Sequence, residues 1–369
     1  MGQNTRAVAG KLIIAPLTGL RRHTRLPRRL TTTFVAALMI LLVLALVGCS
    51  EVAPTSTPIP TPSPTNTPQP SPAPVAALSE GSMPMPDAGK LARLSHLLST
   101  VPAQYTRALH LDLAALVKNP DVQEAIKLDK LGVMGALPPG ATDLLQGLVV
   151  ASEEDDEGLI VIMDGTLDVE SLFQVAEAFG ISLGGPSAEP YRDHQIWDID
   201  LLGLKLAMGG VDGTTSVSAS GATPGGGSAV DLVKGALDSF DGLRPQLVED
   251  ANVGRLISRV PSGIVTALFM SCTDLEDVSV ISGLEGCAGA AVSVEVLTLE
   301  TLAVNIVAGF GIEGEASTAA ALIEQAGITL GSMTPQEMAA NADGPLLTVR
   351  LLIDTADAAQ AIEALIGSR

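Results

Sequence analysis

One recurrent pattern limits the fold of this chain more than any other feature. An apolar run rich in β-forming residues is followed by a short turn and an Ala-rich stretch whose apolar residues fall three and four apart. It reads "GLIVIMDGTLDVESLFQVAEAFG", "LAVNIVAGFGIEGEASTAAALIEQAG" and "LLTVRLLIDTADAAQAIEALIG". Short apolar runs and period-2 alternation predict strands, and the wider spacing predicts amphipathic helices, with Asp168 or Thr355 as candidate caps. Two copies close alike, "GISLGG" from Gly180 and "GITLGS" from Gly327. Weaker versions are "ALHLDLAALVKNPDVQEAIKL" and "TTSVSASGATPGGGSAVDLVKGALDSF". Repetition of one supersecondary unit predicts an internal duplication whose halves divide near residues 242–251.

Between the predicted helices lie hairpins. "LQGLVVAS" and "GLIVIMDG" are joined by "EEDDE", and "YRDHQIWDID" and "LKLAMGG" by "LLG". Adjacent hairpins predict an α+β fold of antiparallel sheets with helices packed on one face, although the strand–helix alternation at the C-terminal end leaves a parallel sheet open. The 280 residues from 90 onward are enough for one large or two modest domains, read as one half at 90–245 and a second at 246–369. The duplicated pattern is similar to that of exported bacterial proteins grouped as domains of unknown function, a likeness that carries no active residues with it.

The first 48 residues have a different character. "RRHTRLPRRL" from Arg21 is a basic cluster, and the uncharged "TTTFVAALMILLVLALVG" follows it. A basic flank, an apolar run and small residues at its end are the parts of a secretory signal, with the flank retained in the cytoplasm. The run closes on Leu46-Val47-Gly48-Cys49, which resembles the lipobox of bacterial lipoproteins. That resemblance implies cleavage between Gly48 and Cys49 and acylation of Cys49, so that residues 1–48 are a signal peptide and the mature chain is anchored to the extracytoplasmic face of the cell membrane. The alternative is an uncleaved helix, since the eighteen residues 31–48 are just long enough to span a bilayer.

With Cys49 assigned to lipid, Cys272 and Cys287 remain as an even pair in a compartment where disulfides persist. They flank "TDLEDVSVISGLEG" between two strand-like runs, so a bridge would staple a connection between pairing strands. Two buried free thiols are the other reading, and no CxxC or neighbouring His accompanies them to suggest a metal.

Residues 49–89 hold a Pro, at nearly every second or third position over much of their length, which removes donors and fixes φ. The segment is read as an extended, disordered spacer that lifts a folded part off the membrane. Charge is split along the chain. Seven of the 21 Lys and Arg lie in the first 48 residues with no acid, so the rest carries 14 basic against 41 acidic side chains, a net of −27. That balance repels nucleic acid and anionic headgroups. Eight aromatic residues remain after the leader, too few for a platform that stacks sugars or bases.

Catalytic patterns are sparse. "GATPGGGS", 221–228, approaches a phosphate-binding loop, but Gly227 occupies the lysine position and Lys234 lies two helical turns further on; it reads as a strand-to-helix loop. The acidic run 153–157 lacks the spacing and mid-loop glycine of a calcium loop and reads as a solvated hairpin tip. The histidines after the leader are His96, His110 and His194, without HExxH or Gly-x-Ser-x-Gly. If 191–198 were a regular strand, Tyr191, Asp193, Gln195 and Trp197 would share one face and Arg192, His194, Ile196 and Asp198 the other, parting Asp193 from His194. No cofactor, metal or catalytic residues are assigned. The expected function is that of a membrane-anchored lipoprotein of the cell envelope with a non-catalytic binding, structural or assembly role, its partner an envelope protein. The alternative is a carrier of an apolar ligand such as a lipid.

Overall fold

The computed structural model describes residues 83–118, 145–153, 158–166, 169, 190–201, 204–221, 228–272, 284, 286–312, 314–326 and 335–357. Gly48, Cys49, the Pro-rich spacer up to residue 82, Asp168, Gly180, Gly227 and the acidic residues 154–157 lie outside that set. The chain runs α1 (Ala88–Leu98), β1 (Arg107–Leu111), α2 (Leu113–Lys118), β2 (Leu145–Ser152), β3 (Gly158–Gly165), β4 (Ile196–Leu201), β5 (Leu204–Gly210) and β6 (Thr215–Gly221). It continues through α3 (Ala229–Phe240), a 3₁₀ turn (Leu247–Glu249), α4 (Ala251–Ile257), β7 (Val265–Phe269), β8 (Cys287–Val296), β9 (Thr301–Phe310), α5 (Glu315–Ala326), β10 (Glu337–Asp343) and β11 (Leu346–Asp354).

The described strands form one eleven-stranded sheet in the order β10-β11-β9-β8-β7-β1-β2-β3-β6-β5-β4, and all ten pairings are antiparallel. The parallel arrangement therefore falls away, and the α+β class with an antiparallel sheet holds. Two-residue connections set the tightest hairpins. Between β10 and β11, Gly344 takes φ +58°, the positive value that a two-residue turn demands at its first position.

The helices do not all lie on one face, which corrects the sequence expectation. Ala108, Val149, Ala151, Ile160, Ile162, Val217, Leu268, Ala291 and Val307 point to the side where α1, α3 and α4 pack, in a core shared with Leu97, Leu237 and Leu256. On the opposite face α5 places Ala316, Ala319, Ala320 and Ile323 against Ile306, Ala308, Leu347, Val349 and Leu351. Leu113 of α2 covers Leu148 and Val150 on that same second face. The reason is visible in the strands themselves: β3 and β9 are buried on almost every residue, so successive side chains on both faces need cover.

Helix starts follow local chemistry. Asp87 Oδ1 accepts from Lys90 N at 2.9 Å at the start of α1, and Asp250 Oδ1 accepts from Asn252 N and Val253 N at 2.7 and 3.1 Å before α4. The Asp231 carboxylate accepts from Ser228 N and Oγ at 2.7 and 3.0 Å ahead of α3, and these bonds hold its carboxyl below the usual range. After β11 the cap is Asp354, whose Oδ1 accepts from Ala356 N at 2.7 Å; Thr355, the expected cap, is buried.

The seam between the halves is β1 against β7. From it, β1-β2-β3 and β7-β8-β9 run outward in the same order, and each side continues with an antiparallel hairpin, β6-β5 or β11-β10. The boundary proposed near residue 245 falls between α3 and the 3₁₀ turn, yet sheet and core continue across it. Leu247 N donates to Val101 O and Ala103 N to Pro245 O, tying the linker to the end of α1.

Candidate functional site

One row of the sheet is unlike its neighbours. On the face that carries α1, α3 and α4, His110 of β1 lies opposite Thr266 of β7, Thr266 opposite Ser293 of β8, Ser293 opposite Asn305 of β9, and Asn305 opposite Arg350 of β11. All five side chains are at most 8 % exposed. In the other direction the same row reads Val149, Ile162, Val217, Gly209 and Ile196. The sheet thus carries a buried polar stripe from β1 across the seam to β11 and an apolar row from β2 to β4.

The outer end of the stripe is a bonded cluster. Asn305 Nδ2 donates to Ser293 Oγ at 3.3 Å and to Glu295 Oε2 at 2.9 Å, and Arg350 Nη1 donates to Asn305 Oδ1 at 3.0 Å. The same Nη1 lies 3.3 Å from Glu295 Oε2. Arg350 Nε is buried with no hydrogen-bond partner, as is His110 Nε2 at the seam. Such groups are expensive to leave unsatisfied, so both ends of the stripe are marked positions.

At the seam the stripe opens on a cleft lined by Lys90, Leu91 and Leu94 of α1, His110, Thr266 and the turn Val260 to Gly263. Its volume is about 20 Å³, room for about one water molecule and not for a lipid. Lys90 Nζ stands 3.0 Å from Asp112 Oδ2, while Asp112 Oδ1 accepts from Ala115 N in the first turn of α2. Burial lowers the His110 pKa to about 4; Asp112 opposes this and the Arg93 and Lys90 cations add to it. His110 is therefore a neutral imidazole near pH 7.

A second cluster joins α1 to the sheet. His96 Nε2 lies 3.2 Å from Thr215 Oγ1 and 3.3 Å from Asp212 Oδ2, and Arg93 Nε lies 3.2 Å from Asp164 Oδ2. Burial raises the Asp164 carboxyl against the pull of Arg93 and His96. Burial also pushes Asp212 up, but hydrogen bonds from Thr214 and Thr215, with His96 nearby, outweigh it and leave that carboxyl lowered.

The stretch "YRDHQIWDID" is not a strand throughout. Tyr191 and His194 exchange backbone hydrogen bonds around a tight turn with Arg192 at φ +57°, and β4 begins only at Ile196. The turn sets His194 Nδ1 2.9 Å from Gly210 O and its Nε2 3.3 Å from Asp241 Oδ1. Tyr191 OH donates to Asp238 Oδ1 at 2.8 Å, with the Arg192 and Arg244 guanidinium groups 3.3 and 3.5 Å from the same carboxylate. Lys234 Nζ lies 5.2 Å from the Tyr191 ring centroid, within cation–π range. Trp197 is buried.

Cys272 and Cys287 are joined as a disulfide, with Cα atoms 5.7 Å apart. Cys272 follows β7 and Cys287 opens β8, and those strands pair as expected. Among the described residues no group of three His, Cys, Asp or Glu side chains could hold a metal ion. No described helix is long and apolar enough to cross a membrane.

The polar stripe was missed in the sequence because each strand supplies one member. Its signal was a polar residue flanked by apolar ones: "ALHL", "VTAL", "VSV", "VNI" and "VRLL".

No family model and no curated protein matches this chain. Solved structures of TP0453 are similar in part. Crystal form III aligns with a TM-score of 0.42 at 9% identity over 72% of this chain and 97% of that one. Crystal form IV gives 0.41 at 8% over 72% and 95%, and crystal form I gives 0.41 at 8% over 73% and 97%.

Proposed function

We propose that the chain is an exported bacterial lipoprotein, acylated at Cys49 after cleavage behind Gly48, whose sheet domain has a non-catalytic binding or assembly role at the cell envelope. The observation that carries the reading is the Cys272–Cys287 pair. A second cysteine placed for a bridge, 5.7 Å away between Cα atoms, suits an oxidising compartment, and the leader is the part of the sequence that would deliver the chain there. The acidic balance after residue 48 fits a body held clear of anionic headgroups by an extended spacer.

The absence of a catalytic role rests on what the acid–base groups do. His194 is engaged by Gly210 and Asp241, His96 by Thr215 and Asp212, and Asp238 by Tyr191 and two arginines. Each of these contacts ties one element to another, and Thr215, the hydroxyl beside His96, is buried and meets the same imidazole nitrogen that faces Asp212. The repeated strand order on either side of the β1–β7 seam supports an internal duplication.

Intact-mass analysis of the membrane fraction tests the anchor. The expected N-terminus is Cys49 carrying acyl chains, and Cys49→Ala should release the protein from membranes; a soluble chain with its leader attached and Cys49 unmodified refutes the reading.

A further inference from the structure

In each half of the sheet, the helix ahead of the seam strand is tied, at or just beyond its C-terminal end, to the turn of the outer hairpin. α4 is tied through Arg259, which bonds Asp343 at the end of β10, beside the turn to β11. α1 is tied through His96 of its last turn, whose Nε2 lies 3.3 Å from Asp212 Oδ2, between β5 and β6, and 3.2 Å from Thr215 Oγ1. The two joints hold corresponding places in the repeated strand order, yet one is made with a permanent cation and the other with an imidazole.

Asp212 is held in place by its own turn. Its Oδ1 accepts from Thr214 N and Thr215 N, each at 2.7 Å, and from Thr214 Oγ1 at 3.0 Å, which leaves Oδ2 facing the imidazole. From α3 the Phe240 ring meets His96 edge-on, with centroids 5.9 Å apart. From β3 the Asp164 carboxylate also feels His96, and Arg93 of α1 lies 3.2 Å from it. Among the described residues, the charges around the ring are therefore two acids and one guanidinium. A neutral imidazole can place a proton on Nε2 only by leaving Nδ1 bare, whereas an imidazolium carries both N–H groups and a full charge. That charge also suits the last turn of a helix, where the backbone carbonyls favour a cation.

We propose that His96 and Asp212 form an acid-strengthened clamp that fastens α1 to the sheet, while the Arg259–Asp343 joint of the other half is indifferent to pH over the same range. Histidine changes charge between about pH 5 and 8, and a guanidinium does not. What the clamp fastens matters at the seam. Lys90, Leu91 and Leu94 of α1 form one wall of the seam cleft, and just ahead of the helix Asp87 N crosses to the other half, donating to Ser262 Oγ at 3.0 Å. Mild acid therefore tightens the cover of the cleft. The clamp goes beyond the anchoring role and does not depend on it.

Hydrogen–deuterium exchange of the full chain in detergent at pH 7.5 and 5.5, corrected for the intrinsic rate at each pH, reads the clamp. Protection of residues 88–98 should rise about threefold at pH 5.5, in keeping with the modest strength of a half-exposed pair, and residues 251–257 should not change. His110, on the cleft wall, titrates at about 4 and is neutral at both values. His96→Arg should give the acid level of protection at both pH values, and His96→Gln the lower level at both, with urea denaturation confirming that each variant is folded. The wild-type comparison of α1 with α4 decides the matter without either variant. Equal protection of α1 at the two pH values, a rise in α4 as large as in α1, or a pH dependence that survives His96→Gln would each overturn the proposal.

Discussion

His110 and Thr266 face each other across the β1–β7 seam, both at most 8 % exposed, where the two halves of the sheet meet. His110 is thus a buried titratable side chain at the join. A neutral His110 fits that site; an imidazolium there would be buried beside the Lys90 and Arg93 cations, with Asp112 as the opposing charge.

Stability should therefore fall as the solution is acidified. His110 titrates at about 4 in the folded chain against an ordinary value of 6.5, so the unfolded state binds the extra proton first. The contribution is fully present above pH 6.5 and is lost as pH falls toward 4. At pH 4.5 the loss is about 2–3 kcal/mol from this group. Urea denaturation at pH 7 and 4.5 checks it: His110→Met should reduce the pH dependence by that amount, and an unchanged slope would remove His110 as its source.

The Asn305 side chain is the hub of the outer stripe. Asn305→Ala takes an acceptor from Arg350 and a donor from Ser293 and Glu295 together, and should cost about 1–3 kcal/mol. A double-mutant cycle with Glu295→Gln should give a coupling above about 0.5 kcal/mol, because both groups meet Arg350 Nη1. Additive losses in urea melts would show that the cluster does not act as a unit.

Reduction should weaken the fold near β7 and β8. The Cys272–Cys287 bridge closes a loop with a sequence separation of 15, which contributes about 3 kcal/mol in the chain-entropy account. Denaturation midpoints with and without reductant measure this, and a Cys272→Ala, Cys287→Ala double variant should match the reduced protein and ignore reductant.

Several elements were legible because their apolar periodicity survives in one strand or helix. The hairpin of β2 and β3 and the pairing of β7 with β8 followed from local runs, as did the strand β6 and the helix α3. β10 was not legible: its Ala-rich "EMAANAD" has little β propensity, and pairing with β11 holds it extended. The second covered face was misjudged because an antiparallel sheet with hairpins suggested one wet side. The continuous burial of β3 and β9 carries the opposite information. The stripe from His110 to Arg350 exists only once five strands are in register, a relation that no local window contains.

Two glycines should respond to alanine in opposite directions, because backbone crowding and helix propensity act at different places. A Cβ on Gly263 would stand 2.3 Å from Val294 O, the oxygen that accepts from Ile264 N at 2.8 Å, so the turn before β7 would have to part from β8. Gly263→Ala should cost about 1–3 kcal/mol, the usual penalty for forcing an extra methyl into a packed site. Gly254 lies inside α4 with nothing within 4 Å of an added Cβ, and its backbone is helical. Gly254→Ala should stabilise by about 0.4–1 kcal/mol, since alanine leaves the unfolded chain less entropy to lose. Paired urea denaturation curves decide the matter. A neutral Gly263→Ala would show that β7 and β8 are not held at the close approach on which the seam geometry depends.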